Sequence, residues 1–363
     1  MRIVHLSDIH LSSCNCNDFE NYFRDALIVD LLKFNNPKKI DVIVITGDLV
    51  DRGGHSLYEI DKYKDKKIYP SPYYIFEEVF ITPIIKELNF PKENFLFIPG
   101  NHDIDESSIL LKDEYEFTKN LNFENIDNKL KENFNFKHSE RIRQFKEFEE
   151  YFHDGQSNYK FSNNESIFNY NYDGVNIGFI LINDSWRCRS QKFDIDDKLM
   201  FGYNQFYTGL NKLKEFDTKV NIALIHHPID DFQEKIAIVR CLNTSNIGFY
   251  LHGHYHSSDF KKHYEGSIDK CFGIRGRASL NNVNESNSSY QPGYQIIDLN
   301  FLFSVKITSI HYRQYQYELN YFDIDASACS NGIDEGLLGK GFEISNCMEG
   351  RRNLLNKDLF VFK

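Results

Sequence analysis

Short apolar runs and amphipathic segments alternate along the first hundred residues of the chain. Residues 2–7, 41–46 and 94–98 are short apolar runs, and the β-branched run within 41–46 is typical of a strand buried on both faces. Residues 18–34 and 73–88 separate these runs and are predicted to be helices. This β-α-β-α-β alternation predicts a fold of the α/β class, in which neighbouring strands are joined by right-handed crossovers.

In the second half of the chain, the predicted strands at first alternate with helices and later follow one another directly along the sequence. Asp173-Gly174 indicates a hairpin turn between predicted strands 166–172 and 175–182. We predict one domain over residues 1–299, followed by a β-rich extension over residues 300–363. The other predicted elements are helices at 203–216 and 231–241, and strands at 220–225, 247–251, 271–274, 293–299, 302–311 and 314–322.

Residues 104–154 interrupt this alternation with a stretch rich in Asn, Lys, Glu and Phe. We interpret it as a helical insertion that lies beside or over a functional site, with an ordinary surface excursion as the equal alternative. Its apolar side chains follow helical spacing and predict no strand: Ile142, Phe145, Phe148 and Phe152.

The composition limits the classes of protein to which this chain can belong. Of its 363 residues, 41% are hydrophobic and 26% are charged, so the chain can bury a large core. A formal net charge of -11 and a pI near 5.6 argue against a protein that coats nucleic acid through its positive charge. They do not exclude a nucleic-acid substrate, because bound divalent ions supply local positive charge.

Cysteine usage and the N-terminal sequence bear on the cellular compartment. The seven cysteines are scattered, odd in number and without a Cys-X-X-Cys pair, which is typical of a reducing cytoplasm. The N-terminal sequence lacks the pattern of a signal peptide, and we find no apolar stretch of the length that a membrane helix needs. We therefore expect a cytoplasmic protein without a membrane partner.

Five of the predicted strands lead into histidine-rich or carboxylate-containing segments. Such side chains are nitrogen and oxygen ligands, which suit Mn, Fe, Zn, Ni or Co rather than a thiolate-type zinc site. A centre of two ions needs about six or seven ligands, including a carboxylate that bridges the ions. In an extended segment, residues i and i+2 face the same way and can present two donors to one cavity. The candidate metal ligands are Asp8, His10, Asp48, Asn101, His226, His252 and His254.

Each segment taken alone has a simpler interpretation. Asp8 and Asp48 could be turn or helix-capping residues, and either member of the His226-His227 pair could be a hydrogen-bonded core histidine. Cys14 and Cys16 follow the first segment closely and could also contact a metal. The occurrence of all five segments in one chain favours a two-metal centre over five separate coincidences.

Read with their neighbours, the five segments are DIH, GDLVD, PGNHD, HHP and HGHYH, and they resemble in order the motifs of the calcineurin-like metallophosphoesterases. The resemblance covers roughly residues 1–260. It implies a four-layer αββα sandwich, in which two mixed β-sheets are flanked by helices, and two divalent metal ions, with manganese favoured. By position in the motifs, Asp48 bridges both ions, and His226 is the ligand rather than His227 because it directly follows the strand. The resemblance divides the other ligands into Asp8, His10 and His254 for one ion, and Asn101, His226 and His252 for the other.

The resemblance and two-metal chemistry together predict a reaction. A hydroxide held by the ions would attack phosphorus in line, while both ions neutralise charge on the phosphoryl oxygens. His102 is not needed as a ligand, so we predict that this catalytic residue protonates the leaving oxygen or stabilises its charge. The alternative is that His102 only donates a hydrogen bond to the groups around it. Either Asp51 or Asp103 could orient its ring.

The substrate class is suggested by a second resemblance. Asn183-Asp184-Ser185, followed by Gly202 and a predicted helix before HHP, is similar to the class III cyclic-nucleotide phosphodiesterases. We therefore favour a phosphodiesterase for a small nucleotide-type substrate. GDLVDRG also resembles the protein Ser/Thr phosphatases, in which the residue matching Arg52 grips phosphate, but PGNHD and HHP depart from the motifs of that group.

Two alternative functions stay open from the sequence. The first is a DNA or RNA nuclease, because the repair exonucleases share the metal motifs and aromatic side chains around Arg313 could stack on bases. Ordinary sheet packing explains the same aromatics. The second is a phosphoesterase module of a larger complex, in which the insertion or the C-terminal extension binds a protein partner. The aromatic side chains on which the nuclease alternative rests are Tyr294, Tyr312, Tyr315, Tyr317 and Tyr321.

Overall fold

The computed structural model describes residues 1–132, 140–190, 192–193, 199–245, 247–256, 271–279, 292–300, 304–329, 331–335 and 342–343. The strands of this part of the chain form two mixed sheets, one of eight strands and one of six. The larger sheet comprises β1 (Arg2–Leu6), β2 (Val42–Thr46), β3 (Phe95–Ile98), β10 (Gly293–Asn300), β11 (Ser304–Gln316), β12 (Tyr321–Ile324), β13 (Ile333–Glu335) and β14 (Phe342–Glu343). The smaller sheet comprises β4 (Tyr159–Lys160), β5 (Glu165–Tyr172), β6 (Val175–Ile182), β7 (Val220–Leu224), β8 (Ile247–His252) and β9 (Phe272–Arg275).

The larger sheet has the strand order β12-β11-β10-β1-β2-β3, with β13 and β14 also paired to β11. Strands β1, β2 and β3 are parallel, with Ile3 opposite Val42 and Ile43 opposite Phe95. Strands β10, β11 and β12 are antiparallel to their neighbours. Because β1 to β3 run in one direction, the loops that follow them all leave the sheet at the same edge.

The smaller sheet has the order β4-β5-β6-β7-β8-β9. Strands β5 and β6 form a hairpin, and Asp173 and Gly174 both have positive φ in its turn, as the sequence predicts. From β6 to β9 the strands are parallel. Their carboxyl ends therefore also share one edge of their sheet.

Helices cover the outer face of each sheet. The helices are α1 (Cys16–Asp18), α2 (Arg24–Asn35), α3 (Pro72–Phe76), α4 (Thr82–Leu88), α5 (Leu111–Asn120), α6 (Ile126–Glu132), α7 (Glu140–Phe152), α8 (Asn204–Leu213) and α9 (Lys235–Thr244). Two π-helical turns, Phe19–Phe23 and Glu77–Ile81, connect α1 to α2 and α3 to α4, so each predicted helix is continuous but locally widened.

Three hydrophobic clusters separate the layers. One lies between the sheets and joins side chains such as Val44 of β2 and Phe179 of β6. The second packs the other face of the larger sheet against α2, α4 and α7, and the third packs the smaller sheet against α8 and α9. Helices, sheet, sheet and helices therefore follow one another, which confirms the mixed α/β class and the four-layer αββα sandwich.

Three of the differences between the structure and the predicted elements have a clear physical reason. The sequence predicts two strands over residues 302–311 and 314–322, but β11 continues to Gln316 and the chain turns only at residues 317–320. Helix α9 begins at Lys235 rather than at residue 231, because the chain after Pro228 first forms a 3-10 turn at Ile229–Asp231. A 3-10 segment at Arg52–Glu59 was not predicted, and the positive φ angles of Gly53 and Gly54 inside it explain why no helical periodicity marks it.

The predicted insertion contains α5, α6 and α7, and its last helix is part of the core. Phe145 and Phe148 of α7 are completely buried and contact the rings of Tyr73 and Phe97. The helical spacing of its apolar residues is therefore confirmed for this helix.

The C-terminal strands continue the sheet of the main domain. Strand β11 lies beyond the predicted boundary at residue 299 and pairs with β10 from Lys306 to Gln314. The boundary stays a prediction, and residues 344–363 lie outside the described part of the chain. Among the described residues, no helix combines the length and apolar character that crossing a bilayer requires.

Candidate metal centre

The loops after β1, β2, β3, β7 and β8 bring the predicted ligands to one edge of the sandwich. Several of these loop residues have an unusual backbone conformation: φ is 52° at Asp8, 50° at His10, 55° at Asp48 and 75° at His254. Positive φ costs free energy for residues other than glycine and is concentrated at functional sites, where the surrounding structure enforces it. Four of the nine described non-glycine residues with positive φ are therefore candidate metal ligands.

A first group of possible ligand atoms comes from the loops after β1, β2 and β8. His10 Nε2 lies 3.1 Å from His256 Nε2 and 3.6 Å from Asp48 Oδ2. His256 Nε2 lies 3.3 Å from Asp8 Oδ1. All four side chains offer an atom within 4.8 Å of the others, so Asp8, His10, Asp48 and His256 can share one ion. Two imidazoles and two carboxylates form a donor set that suits a first-row divalent metal.

A second group lies on the other side of Asp48. Asn101 Oδ1 is 2.9 Å from both His226 Nε2 and His254 Nδ1. His226 Nε2 is also 3.4 Å from Asp48 Oδ2, the same oxygen that faces His10. The two groups therefore meet at the Asp48 carboxylate, which is only 1% exposed. This is the arrangement that a bridging carboxylate between two ions requires.

The imidazole of His226 is oriented by the backbone beneath it. Its Nδ1 lies 2.7 Å from the carbonyl oxygen of Thr46, so Nδ1–H donates there and Nε2 faces Asn101. Gly47, with a φ of 94°, lies against this ring, and a Cβ at Gly47 would overlap it. A Cβ at Gly100 would likewise overlap the Asp48 carboxylate. These glycines let the backbone approach the ligands closely.

His227 lies beside the second group but has other partners. Its Nδ1 is 3.4 Å from Asp184 Oδ2, and its Nε2 is 3.7 Å from Cys188 Sγ. Both ring nitrogens thus face protein groups, although the ring belongs geometrically to the cluster of His226, His227 and His254. His226 Nε2, rather than a ring nitrogen of His227, thus faces Asn101 and Asp48.

His252 and His256 differ from the sequence-based expectation. His252 ends β8 and is buried, neither of its ring nitrogens has a hydrogen-bond partner among the described residues, and no described cluster of possible ligands includes it. His256 stands in the first group instead. Because His254 and His256 are also i and i+2, the rule that selected His252 with His254 applies equally to them. The sequence contained this signal, and the choice between the two pairs required the fold.

The cysteines near the first segment lie outside these groups. Cys16 Sγ is 3.9 Å from Glu20, and burial raises the pKa of the Cys16 thiol to about 12. None of the described clusters of possible ligands includes Cys14 or Cys16. The donors at the site are therefore nitrogen and oxygen atoms.

Burial and mutual contacts perturb the ionisation of the site. Burial lowers the pKa of His10 to about 4 and that of His254 to about 3, so both rings are neutral and have a lone pair available at pH 7. Burial would also lower the pKa of His226, but the neighbouring Asp48 carboxylate raises it to about 9. An ion that binds His226 Nε2 must displace this proton, so metal binding is coupled to proton release.

The loops that carry Asp48 and Asn101 are joined by Asp103. Its carboxylate accepts hydrogen bonds from the backbone N–H groups of Leu49, Val50 and Gly100. Burial, with the negative charge of Asp48, raises the pKa of Asp103 to about 7. Asp103 thus holds the loops rather than the ring of His102.

His102 is oriented by Asp51. His102 Nδ1 lies 2.7 Å from Asp51 Oδ1, and its backbone N–H donates to Asp48 Oδ1 at 2.7 Å. Burial opposes protonation of this ring, but the hydrogen bond to Asp51 and the charge of Asp48 raise its pKa above the ordinary value. The side chain is 36% exposed at the edge of the first group. The ring can therefore hold a proton while it remains open to solvent.

The aromatic residues of the C-terminal strands are divided between core and surface. Arg313 donates to the Asp30 carboxylate, and burial there makes it part of the core. Tyr317 and Tyr321 are exposed. The other three tyrosines are at most 3% exposed: Tyr294, Tyr312 and Tyr315.

The family described as calcineurin-like phosphoesterase matches residues 1–258. An uncharacterized metallophosphoesterase-like protein of Bacillus subtilis (strain 168), YydB, is 26% identical over 271 residues, which are 72% of this chain and 50% of that protein. The chain thus spans about half the length of this relative.

Solved structures give more distant similarities. The NAD nucleotidase NadN of Haemophilus influenzae is 13% identical with a TM-score of 0.45, over 88% of this chain and 52% of that one. A 5'-nucleotidase precursor from Thermus thermophilus is 11% identical with a TM-score of 0.40, over 83% of this chain and 51% of that one.

Proposed function

Since the chain belongs to the calcineurin-like phosphoesterases, we propose that it is a phosphodiesterase that requires two divalent metal ions. The observation that carries the proposal is that two ligand groups meet at one buried carboxylate, Asp48. Two ions held there would polarise the phosphoryl group and lower the pKa of a water molecule. The residues that would hold them are Asp8, His10, Asp48 and His256 for one ion, and Asp48, Asn101, His226 and His254 for the other.

This assignment replaces His252 by His256 and moves His254 to the second ion. The reason is the geometry: His256 Nε2 is 3.1 Å from His10 Nε2, and His254 Nδ1 is 2.9 Å from Asn101 Oδ1. Each ion then has four ligands from the protein, and all are nitrogen or oxygen donors. Manganese remains the proposed metal.

His102 is the proposed proton donor to the leaving oxygen. Since its Nδ1 faces Asp51, its Nε2 is the nitrogen that can carry a proton toward the substrate. The raised pKa keeps this proton in place near neutral pH until a leaving alkoxide can accept it. Asp51 fixes the ring orientation and stabilises its charged form.

A small nucleotide-type phosphodiester is the proposed substrate. The support is the resemblance of the Asn183-Asp184-Ser185 region to the class III cyclic-nucleotide phosphodiesterases. The nuclease alternative depends in part on base stacking by tyrosines around Arg313, and the burial of that arginine against Asp30 weakens this support. We therefore place the small diester first.

Hydrolysis assays in Mn²⁺ test the proposal. We expect the protein to hydrolyse bis-p-nitrophenyl phosphate faster than p-nitrophenyl phosphate, and a cyclic mononucleotide faster than single-stranded DNA or RNA. A preference for the monoester would refute a diesterase, and a preference for the polymers would favour the nuclease. Asp48→Asn should abolish activity and the binding of at least one Mn²⁺ ion, and full activity in this variant would contradict the proposed centre.

A further inference from the structure

The carboxylate of Asp184 is completely buried beside the second ligand group. Its Oδ2 accepts the backbone N–H of His226 at 2.9 Å and that of His227 at 2.8 Å. One oxygen atom thus fixes both peptide groups of the His-His turn after β7.

The segment that contains Asp184 also contacts the loop after β3 and a helix of the outer layer. Asn183 exchanges hydrogen bonds with the Gln205 side chain of α8, at 3.3 and 3.1 Å. Ser185 Oγ donates to the carbonyl oxygen of Pro99, which directly precedes Gly100 and Asn101. Residues 183–185 therefore connect the loops that carry Asn101 and His226 to a helix of the outer layer.

The geometry points to Asp184 as a positioning residue for the second ion, an inference that rests on the proposed two-metal function. Both Asp184 oxygens already have protein partners, since Oδ2 accepts from the backbone of His226 and His227 and Oδ1 accepts from Ser185 Oγ. Its effect is exerted through His226, whose Nε2 must stay opposite Asn101 Oδ1 and Asp48 Oδ2. Groups that orient metal ligands typically change metal affinity by roughly 10- to 100-fold when they are removed.

Two substitutions distinguish the geometric role of the Asp184 side chain from the effect of its charge. In Asp184→Asn the amide oxygen can take the place of Oδ2 and accept hydrogen bonds from both N–H groups. The amide nitrogen then donates to Ser185 Oγ, which in the unchanged chain donates to Asp184 Oδ1. In Asp184→Ala both N–H groups lose their acceptor. We expect D184A to bind the second Mn²⁺ ion roughly 10- to 100-fold more weakly and the first ion unchanged, and D184N to stay within about threefold of the unchanged chain.

Asp30 provides a matched control. Its carboxylate is also buried, and it accepts hydrogen bonds from Tyr294 and Arg313, on the outer side of the larger sheet. Asp30→Ala should lower the melting temperature of the metal-free protein without changing either Mn²⁺ affinity. A residue that only stabilises the fold would behave like Asp30, so the comparison isolates the positioning effect.

The experiment is a calorimetric Mn²⁺ titration of the metal-free full chain and its variants, with electron paramagnetic resonance to distinguish a coupled ion pair from a single ion. The inference is overturned if D184A keeps both ions at the original affinity, or if D184N loses the second ion as D184A does. Should D184A not fold, Asp184→Ser gives the same comparison, because its shorter hydroxyl cannot reach both N–H groups. If the unchanged chain binds two ions and hydrolyses no phosphodiester, the proposed function fails while the role of Asp184 stands. If it binds fewer than two ions, both fail.

Discussion

A buried ion cluster joins the insertion to the loop after β6, and it allows a quantitative prediction. Glu114 of α5 is 2% exposed and contacts three guanidinium groups, those of Arg141, Arg187 and Arg189, which are 4–6% exposed. Arg187 Nη2 lies 2.6 Å from Glu114 Oε1 and Arg189 Nη1 lies 2.9 Å from the same oxygen. Glu114→Gln keeps the volume of the side chain and removes its charge.

The expected loss of stability follows from this burial. An exposed ion pair contributes only about 0.2–1 kcal/mol, whereas removing one partner of a buried pair costs about 3–5 kcal/mol, since the other charge is left uncompensated. Burial, with the like charges nearby, already lowers the pKa of Arg187 to about 9 although Glu114 opposes this shift. Because glutamine retains some hydrogen bonds, we expect the lower part of this range, about 3 kcal/mol.

Urea unfolding followed by circular dichroism and tryptophan fluorescence measures this loss. Trp186 is the only tryptophan of the chain, is completely buried and lies next to the cluster, with its ring 5.5 Å from the Arg187 guanidinium carbon. Glu215→Gln is the control, because Glu215 is 66% exposed and its pair with Lys160 should contribute less than about 1 kcal/mol. If E114Q were no less stable than E215Q, the buried cluster would not hold the insertion in place.

Three further outcomes are expected. His256→Ala should remove one of two Mn²⁺ ions in a calorimetric titration and His252→Ala should leave both, and the opposite result would restore the sequence-based assignment. Gly100→Ala should weaken Mn²⁺ binding, because its methyl carbon would overlap the Asp48 carboxylate, and unchanged affinity would show that the loop can move away. Asp298→Asn should lower stability at pH 7, and this loss should shrink only as the pH falls below about 4. Although burial acts in the opposite direction, hydrogen bonds from His311, Arg2 and Lys38 hold the pKa of Asp298 well below its ordinary value. Its stabilisation is therefore fully present above the unfolded pKa of about 4 and is lost as the pH falls from there through the much lower folded pKa. An equal difference in urea midpoint at pH 7 and at the lowest pH at which the chain still folds would contradict this.

The sequence predicts those parts of the fold that depend on local periodicity. Strands β1, β2 and β3 are short apolar runs, and the turn at Asp173-Gly174 is specified by residues that tolerate positive φ. The predicted end of β11 is wrong because the alternation of its side chains continues through Tyr312 to Gln316. Only the pairing of β11 with β12 determines where the strand ends. Local pattern cannot supply that information.

The candidate site likewise contains residues that the sequence alone can select and residues whose selection requires the fold. Asp8 and Asp48 could be selected because each follows a buried strand, a feature that is visible in the sequence. The choice among His252, His254 and His256 depends on the direction in which the chain leaves β8, where His254 has a φ of 75°. Regular strand alternation does not hold across such a residue, so spacing alone cannot distinguish the neighbours of His254 from each other.

One short segment connects the metal centre to the insertion. Residues 183–185 hold the His226-His227 turn through Asp184, and two residues later Arg187 enters the ion cluster of Glu114. Cys188, between the two arginines, contacts His227. A shift of α5 would therefore be transmitted along a few buried residues to the ligand His226. We accordingly expect Glu114→Gln to weaken binding of the second Mn²⁺ ion more than that of the first, a result that a purely global loss of stability would not produce.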